Sequence, residues 1–201
     1  MDKRTLAVTI LLAVVIGGGA ALLKAQWLKR NDPEFNQNKY SHMGGDFSLQ
    51  HSSGPFSLKN LKGKPTLLYF GFTSCPDVCP LALNSLMRNL DNVDPDIHKL
   101  INKVFISVDY KRDDLKKVTE YATYFSSDLI GLTGTKEEIE RITKNYGVHF
   151  SFVKMKDSKL EYTVDHTSRF FLLNKKGNLV ASFSDLKNDP LFRKRLLQEI
   201  E

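Results

Sequence analysis

LLYFGFTSCPDVCP, residues 67–80, decides the fold and holds both cysteines of the chain, Cys75 and Cys79. Its first half is a strongly apolar run that stops at Thr73, which predicts a buried strand delivering its C-terminal end to a loop. Pro80 suits the first turn of a helix, and the leucines after it recur at helical intervals as far as Leu90. The sequence therefore predicts a strand, a cysteine-bearing loop and a helix in direct succession.

The spacing of the two cysteines leaves their chemistry open. If Cys79 lies in or near the first turn of the helix, both sulfurs lie on one side of the backbone, close enough to form a disulfide or to bind one metal ion. The helix N-terminus stabilises a thiolate there and lowers its pKa. The alternative is a structural disulfide or two inert buried thiols. Pro76, Asp77 and Pro80 disfavour that alternative because they indicate a turn at a strand end.

The N-terminal segment predicts a membrane anchor. Residues 6–23 contain no charged residue and are flanked by Lys3, Arg4 and Lys24. The segment is just long enough to span a bilayer, so we expect a retained transmembrane helix there; a cleaved signal peptide is the alternative. Residues 31–44 are polar and rich in turn formers, which is typical of a tether. We expect an anchor over residues 1–30, a tether over 31–44 and a folded domain over 45–201.

The charge distribution argues against nucleic-acid binding. The chain has a net charge of +6, from 29 Lys and Arg against 23 Asp and Glu, and two thirds of that excess lies in residues 1–30. No basic stripe is interleaved with aromatic residues in the remainder. We therefore expect no nucleic acid as a partner, and a membrane as a partner through the N-terminal segment.

The order of the predicted elements indicates the fold class. After the cysteine loop and its helix, the patterns predict a buried strand at 103–108, a helix at 113–125, a short strand at 129–132, a helix at 135–146, two hairpins at 149–164 and 169–183, and a helix at 190–200. Residues 45–58 predict a small hairpin that covers one edge of the sheet. A βαβ unit followed by an antiparallel pair gives an α/β sandwich with a mixed sheet. This is the order of the thioredoxin-like fold, here with an N-terminal hairpin extension and a preceding transmembrane helix.

His166 is the third candidate ligand. Together with Asp165 it falls between two strand patterns, on a predicted loop beside the edge of the sheet that carries the cysteines. Two thiolates and an imidazole at one point suit copper, with the sulfurs binding Cu(I) and the nitrogen supporting Cu(II), whereas zinc needs a fourth ligand. Asp77 and Asp165 are candidates to orient or tune a ligating side chain, and each is equally a turn residue.

Five motifs in order carry a resemblance to a known family: GDFSL, LKGKPTLLYFGFTSCPDVCP, ISVDYKRD, LIGLTGTKEEI and VDHTSRFFLLNKKG. Over about residues 43–185 the chain resembles the Sco/SenC family of membrane-tethered copper chaperones for cytochrome c oxidase assembly. The resemblance implies that Cys75, Cys79 and His166 bind copper, and that the domain faces the periplasm or intermembrane space from the inner membrane. In that family the copper goes to the CuA centre of cytochrome c oxidase subunit II, or the dithiol reduces the cysteines of that subunit. Tyr110 departs from the proline common in the family, and we expect it to affect the turn more than the metal site.

Three functions are compatible with these residues. The first is a copper metallochaperone, which is not an enzyme, and in which oxidation to a Cys75–Cys79 disulfide stops metal binding. The second is a membrane-tethered thiol–disulfide oxidoreductase that uses the same redox pair, although the CxxxC spacing differs from the CxxC of thioredoxin-type proteins. The third is a redox or copper sensor that signals through a partner. We expect the first.

Overall fold

The computed structural model describes residue 19 and residues 40–201, apart from residues 95, 157–159, 185 and 187–189. Residues 40–201 belong to one compact unit. Within the described part of the chain, no helix has the length and apolar character needed to cross a membrane. Apart from Gly19, the expected transmembrane helix at 6–23 lies outside the described residues, as does most of the expected tether.

The described elements follow the order that the sequence predicts, with two short helices that it did not predict, at Ile97–Leu100 and Leu58–Leu61. They are β1 (Ser48–His51), β2 (Gly54–Ser57), β3 (Thr66–Gly71), α1 (Val78–Val93), α2 (Ile97–Leu100), β4 (Asn102–Ser107), α3 (Leu115–Phe125), β5 (Leu129–Leu132), α4 (Lys136–Tyr146), β6 (Phe150–Lys154), β7 (Tyr162–His166), β8 (Phe170–Leu173), β9 (Leu179–Phe183) and α5 (Pro190–Ile200), with a 3-10 helix at Leu58–Leu61. Five of the strands form a sheet in the order β5-β4-β3-β8-β9. In it β3 is parallel to β4 and antiparallel to β8, so the prediction of a mixed sheet is confirmed.

Strand β3 is the centre of the core. All of its residues are buried, which explains why it reads as a continuous apolar run and not as an alternating one. Helix α1 buries the side chains of Leu83, Leu86 and Leu90, and each contributes roughly 1.5–3 kcal/mol through removal of apolar surface from water. The helix begins at Val78, so Pro80 lies in its first turn, where a missing N–H breaks no helical hydrogen bond. Cys79 therefore stands in the first turn, which meets the condition for both sulfurs to lie on one side of the backbone.

Two connections position the edges of the sheet. The N-terminal hairpin β1–β2 joins the β5 side through hydrogen bonds in both directions between the backbones of Gln50 and Thr133, at 2.7 and 3.1 Å. It covers one sheet edge, as expected. At the end of α4, Gly147 adopts a left-handed conformation (φ 65°, ψ 31°), which favours glycine and turns the chain into hairpin β6–β7.

The position of His166 differs from the sequence prediction. It is the last residue of strand β7, where it pairs with Phe150 of β6, and is not on a loop. The prediction was wrong because Asp165 and His166 are polar and interrupt the apolar alternation that marks a strand. Backbone pairing with β6 extends the strand through both residues nonetheless.

Candidate metal centre

The sulfur of Cys75 caps the beginning of helix α1. Cys75 follows β3 in the loop and is partly exposed. Its Sγ accepts a hydrogen bond from the backbone N–H of Cys79 at 3.3 Å. The first N–H groups of a helix have no partner within the helix, so the sulfur satisfies one of them and gains the partial positive charge of the helix end.

Cys79 is fully buried and lies against the end of strand β3. Its Sγ is 3.4 Å from Nε2 of His166. The approach of the helix to the strand depends on Gly71, because a Cβ at that position would lie 2.9 Å from the Cys79 Sγ. A side chain of any size at residue 71 would displace the sulfur, so the glycine is part of the site.

The imidazole of His166 is oriented by a backbone carbonyl and two aromatic rings. Its Nδ1 is 3.2 Å from the carbonyl oxygen of Thr167. Because a carbonyl only accepts, this contact places the proton on Nδ1 and leaves the lone pair of Nε2 directed at Cys79, the arrangement of a histidine that ligates through Nε2. Phe72 and Tyr69 meet the ring edge to face, at centroid distances of 5.8 and 6.3 Å.

The pKa values of the two thiols are shifted in opposite directions. The pKa of Cys75 is lowered to about 4, chiefly because the Cys79 thiol donates a hydrogen bond to its sulfur. The backbone N–H groups of Cys79 and Asp77 add to this stabilisation, and together these hydrogen bonds outweigh the opposing effect of burial on the pKa of Cys75. The pKa of Cys79 is raised, because its proton is shared with Cys75 and because burial disfavours a second thiolate. In the reduced protein one sulfur is therefore charged and the other is not.

Asp113 is a supporting residue that the sequence reasoning missed. It is buried, and its carboxylate accepts hydrogen bonds from the N–H of Thr73 (2.7 Å), the hydroxyl of Thr73 (2.6 Å) and the hydroxyl of Ser107 (2.6 Å). It thereby ties the cysteine loop to the end of β4. The sequence offers one signal, the acidic residue near the start of helix α3, but that signal is indistinguishable from an ordinary helix start.

The predicted supporting carboxylates take other positions. Asp77 is exposed and immediately precedes α1, and it assists Cys75 through its backbone N–H. Asp165 is exposed on β7, and strand alternation directs its side chain away from that of its neighbour His166. No hydrogen bond joins either carboxylate to a predicted ligand among the described residues.

The three predicted ligands are neighbours in space. Cys79 contacts both Cys75 and His166. Within the described ranges, no three His, Cys, Asp or Glu side chains are gathered around a common centre at metal-ligand spacing. The ligand set therefore remains a prediction, one that the donor types and their proximity support.

His166 also lines a depression on the surface. The depression has a volume of about 260 Å³ and is formed by His149, Phe150, Ser151, Asp165, His166 and Thr167. Its residues come from both strands of hairpin β6–β7 and from the residues directly before and after the hairpin. The imidazole side of the site is therefore reachable from outside, whereas Cys79 lies in the core.

Comparison with known proteins places the chain in a family. A model of the SCO1/SenC protein family matches residues 35–201. The mitochondrial protein SCO2 of Saccharomyces cerevisiae is 37% identical over 198 residues, which cover 96% of this chain and 66% of that protein. The copper-bound structure of Arabidopsis thaliana ScoI is 38% identical with a TM-score of 0.70, and the match covers 79% of this chain and 98% of that one. Copper-bound Bradyrhizobium japonicum ScoI is 37% identical with a TM-score of 0.68, over 78% and 99% of the two chains. The predicted thioredoxin-like α/β fold is thus confirmed.

Proposed function

The chain belongs to the SCO1/SenC family, and on that premise we propose that it is a copper metallochaperone acting in cytochrome c oxidase assembly. The observation that carries the proposal is the contact between the Cys79 Sγ and the His166 Nε2 at 3.4 Å, beside the Cys75 thiolate. Thiolates are soft ligands that suit Cu(I), and an added imidazole supports Cu(II). Copper bound to similar Sco proteins supports the same metal here.

Each ligand has a distinct part in copper capture. Cys75 is the partly exposed thiolate and meets the ion first. Cys79 then binds as its proton leaves, so loading at neutral pH releases a single thiol proton. His166 completes the set through Nε2, whose lone pair already faces the sulfur. Copper here is cargo, and the protein performs no chemical conversion on it.

The proposed recipient is the CuA centre of cytochrome c oxidase subunit II, with copper passing by exchange of ligands between the two proteins. The depression beside His166 supports this step, because a recipient's cysteine or histidine must reach the ion. Residues 1–30 are the proposed inner-membrane anchor and residues 31–44 the tether. The domain from residue 45 onward is proposed to work on the periplasmic or intermembrane-space side.

The acidity of the thiols favours a second candidate function, thiol–disulfide exchange. A partly exposed thiolate beside a buried thiol is the arrangement of an attacking and a resolving cysteine. Cys75 would attack a partner's disulfide, and Cys79 would release the partner by forming the Cys75–Cys79 disulfide. The partner in this case is a cysteine pair of subunit II, and a redox sensor would use the same residues.

Copper stoichiometry on the reduced full chain in detergent tests the proposal. We compare the wild type with Cys75→Ser, His166→Ala and the matched control His149→Ala, an exposed histidine that lines the same depression. We expect a single copper ion per wild-type or His149→Ala chain, none on Cys75→Ser, and retention of Cu(I) with loss of Cu(II) on His166→Ala. If the wild type binds no copper but reduces a protein disulfide catalytically, and His166→Ala leaves that activity intact, the exchange function replaces the chaperone function.

A further inference from the structure

Hairpin β6–β7 carries His166 but lies outside the five-stranded sheet. Its two strands pair with each other over Phe150–Lys154 and Tyr162–His166 and form a separate two-stranded sheet. The cysteines, in contrast, follow the central strand of the main sheet. The end of β7 is joined to the main sheet by the short segment that leads into β8, where Ser168 bonds Tyr69 of β3 at 2.9 Å, and the rest of the hairpin is positioned by side-chain contacts with the domain.

Asp109 is the buried anchor of those contacts. It lies just beyond β4 and is fully buried. One carboxylate oxygen accepts a hydrogen bond from the Nε of Arg112 at 2.6 Å, and the other accepts one from the hydroxyl of Tyr162 at 2.8 Å. Tyr162 is the first residue of β7, so a residue of the main domain directly holds the strand that ends at His166.

Arg112 contacts both the backbone at the start of this strand and the ring of Tyr162. Its Nη1 donates to the carbonyl oxygens of Leu160 and Tyr162 at 3.0 and 2.9 Å. Its guanidinium carbon lies 3.7 Å from the centroid of the Tyr162 ring. Burial, together with the neighbouring Asp109 carboxylate, raises the pKa of Tyr162 to about 12, so its hydroxyl remains a donor at neutral pH.

Tyr110 and Lys111, the two residues between Asp109 and Arg112, pack against the other strand of the hairpin, β6. Tyr110 meets the Phe152 ring edge to face at a centroid distance of 5.4 Å, and the Lys111 ammonium lies 4.0 Å from the same ring. Tyr110 also contacts Phe150, the residue that pairs with His166 across the hairpin. The sequence suggested that Tyr110 shapes a turn; in the structure it also packs on the element that carries the histidine.

The loop at residues 109–112 is also joined to the cysteine side of the site. The N–H of Asp109 donates to the hydroxyl of Ser107, which in turn donates to the Asp113 carboxylate that binds Thr73 in the cysteine loop. The two halves of the metal centre are thus connected through a short chain of buried hydrogen bonds.

We propose that residues 109–112 and Tyr162, the hairpin clamp, position His166 against Cys79 and thereby set the affinity for Cu(II). The inference deepens the proposed copper function and rests on it. The cysteines do not need the hairpin in order to bind Cu(I), whereas Cu(II) depends on the imidazole. The clamp residues do not ligate copper, and their effect passes through the position of the hairpin.

The test compares two conservative changes with matched controls. Tyr162→Phe removes the hydroxyl that binds Asp109 and keeps the ring beneath Arg112, and Arg112→Lys keeps the charge but loses the planar donors that reach both carbonyls. Tyr124→Phe and Arg88→Lys make the same chemical changes at exposed helical positions. Backbone hydrogen exchange across β6–β7 and the 15N signal of the His166 ring are measured on the copper-free protein. Cu(I) and Cu(II) dissociation constants and the Cu(II) paramagnetic resonance spectrum follow.

We expect both clamp variants to exchange hairpin amides about tenfold faster and to bind Cu(II) about tenfold more weakly, the effect of losing one hydrogen bond to a charged group. Cu(I) affinity should stay at the wild-type value, and both controls should match the wild type throughout. The proposal would be overturned if the clamp variants exchanged hairpin amides and bound Cu(II) as the wild type does. It would also be overturned if their affinities for Cu(I) and Cu(II) fell equally. If the wild type itself binds no copper, the proposed function fails, and the copper-free measurements still decide whether the clamp positions His166.

Discussion

Replacing Gly71 with alanine tests the close approach between strand β3 and helix α1. The added Cβ would lie 2.9 Å from the Cys79 Sγ, 3.0 Å from a Phe105 ring carbon and 3.1 Å from a Tyr69 ring carbon. Comfortable separations between such atoms are about 3.5–4.0 Å, so each neighbour must retreat by roughly 0.5–1 Å. All three neighbours are buried and have little room to move.

The expected loss in the free energy of unfolding is about 1–3 kcal/mol, the usual effect of one excess methyl in a packed core. A second effect is specific to the site. If the Cys79 sulfur moves, the Cys75 thiolate loses the hydrogen bond that contributes most to its low pKa, so the pKa of Cys75 rises from about 4 towards that of an ordinary thiol. Urea unfolding measures the first effect, and the pH dependence of alkylation by iodoacetamide measures the second.

Gly134→Ala is the matched control. Its added Cβ would meet the Glu138 Oε2 at 2.7 Å and the Leu49 Cδ2 at 3.0 Å, a comparable crowding at the start of helix α4. We expect this variant to lose stability and to keep the wild-type alkylation profile. If Gly71→Ala retains both wild-type stability and the wild-type profile, the strand and the helix adjust freely, and the argument that Gly71 shapes the site is refuted.

Three further predictions concern charges in the domain. In the reduced wild type, Cys75 should alkylate at a nearly constant rate from about pH 5.5 to about pH 8, because a thiol with a pKa of about 4 is fully ionised over that range; a rate that rises tenfold per pH unit would contradict this. Asp113→Asn should lower the free energy of unfolding by about 1–3 kcal/mol and increase hydrogen exchange at the N–H of Thr73, because the asparagine amide has one acceptor oxygen where the carboxylate has two. Asp128→Asn should lower it by about 1 kcal/mol, since Asp128 pairs with the buried Lys103 at 2.6 Å but is itself 47% exposed. Burial raises the pKa of Asp128, but the hydrogen bond from Lys103 outweighs that effect and lowers the pKa overall. The stability that Asp128 contributes is therefore present above its unfolded-state pKa and is lost as the pH falls through its folded-state pKa. In urea titrations, the difference in stability between wild type and Asp128→Asn should shrink at acid pH.

Local patterns predicted the elements of this fold well. The apolar run before Cys75 became β3, and Thr135 and Glu138 form the capping box that starts α4. Gly147 ends that helix in the conformation expected of a glycine cap. Each of these signals acts within a few residues of the chain, so one sequence is sufficient to read it.

The sequence allowed the candidate ligands of the site to be predicted, but not the residues that hold those ligands in position. The residues Cys75, Cys79 and His166 are chemically distinctive, and their proximity follows from the order of the strands. Asp113 and the hairpin clamp are not distinctive, because an aspartate or arginine after a strand resembles any turn residue. Their importance comes from burial and from partners as far as 53 residues away in the chain, as in the bond between Tyr162 and Asp109. Contacts of this range produce no periodic pattern in the local sequence, so one sequence does not reveal them.

The contact between Cys79 and His166 joins residues 87 positions apart. A chain that is synthesised, and by our proposal exported, from its N-terminus presents both cysteines long before the histidine arrives. Contacts of such long range form late in folding, when the loop between them closes. The complete ligand set therefore exists only once the chain has been made as far as His166 and the loop between the two residues has closed, so an assembled metal centre reports that this part of the domain has folded.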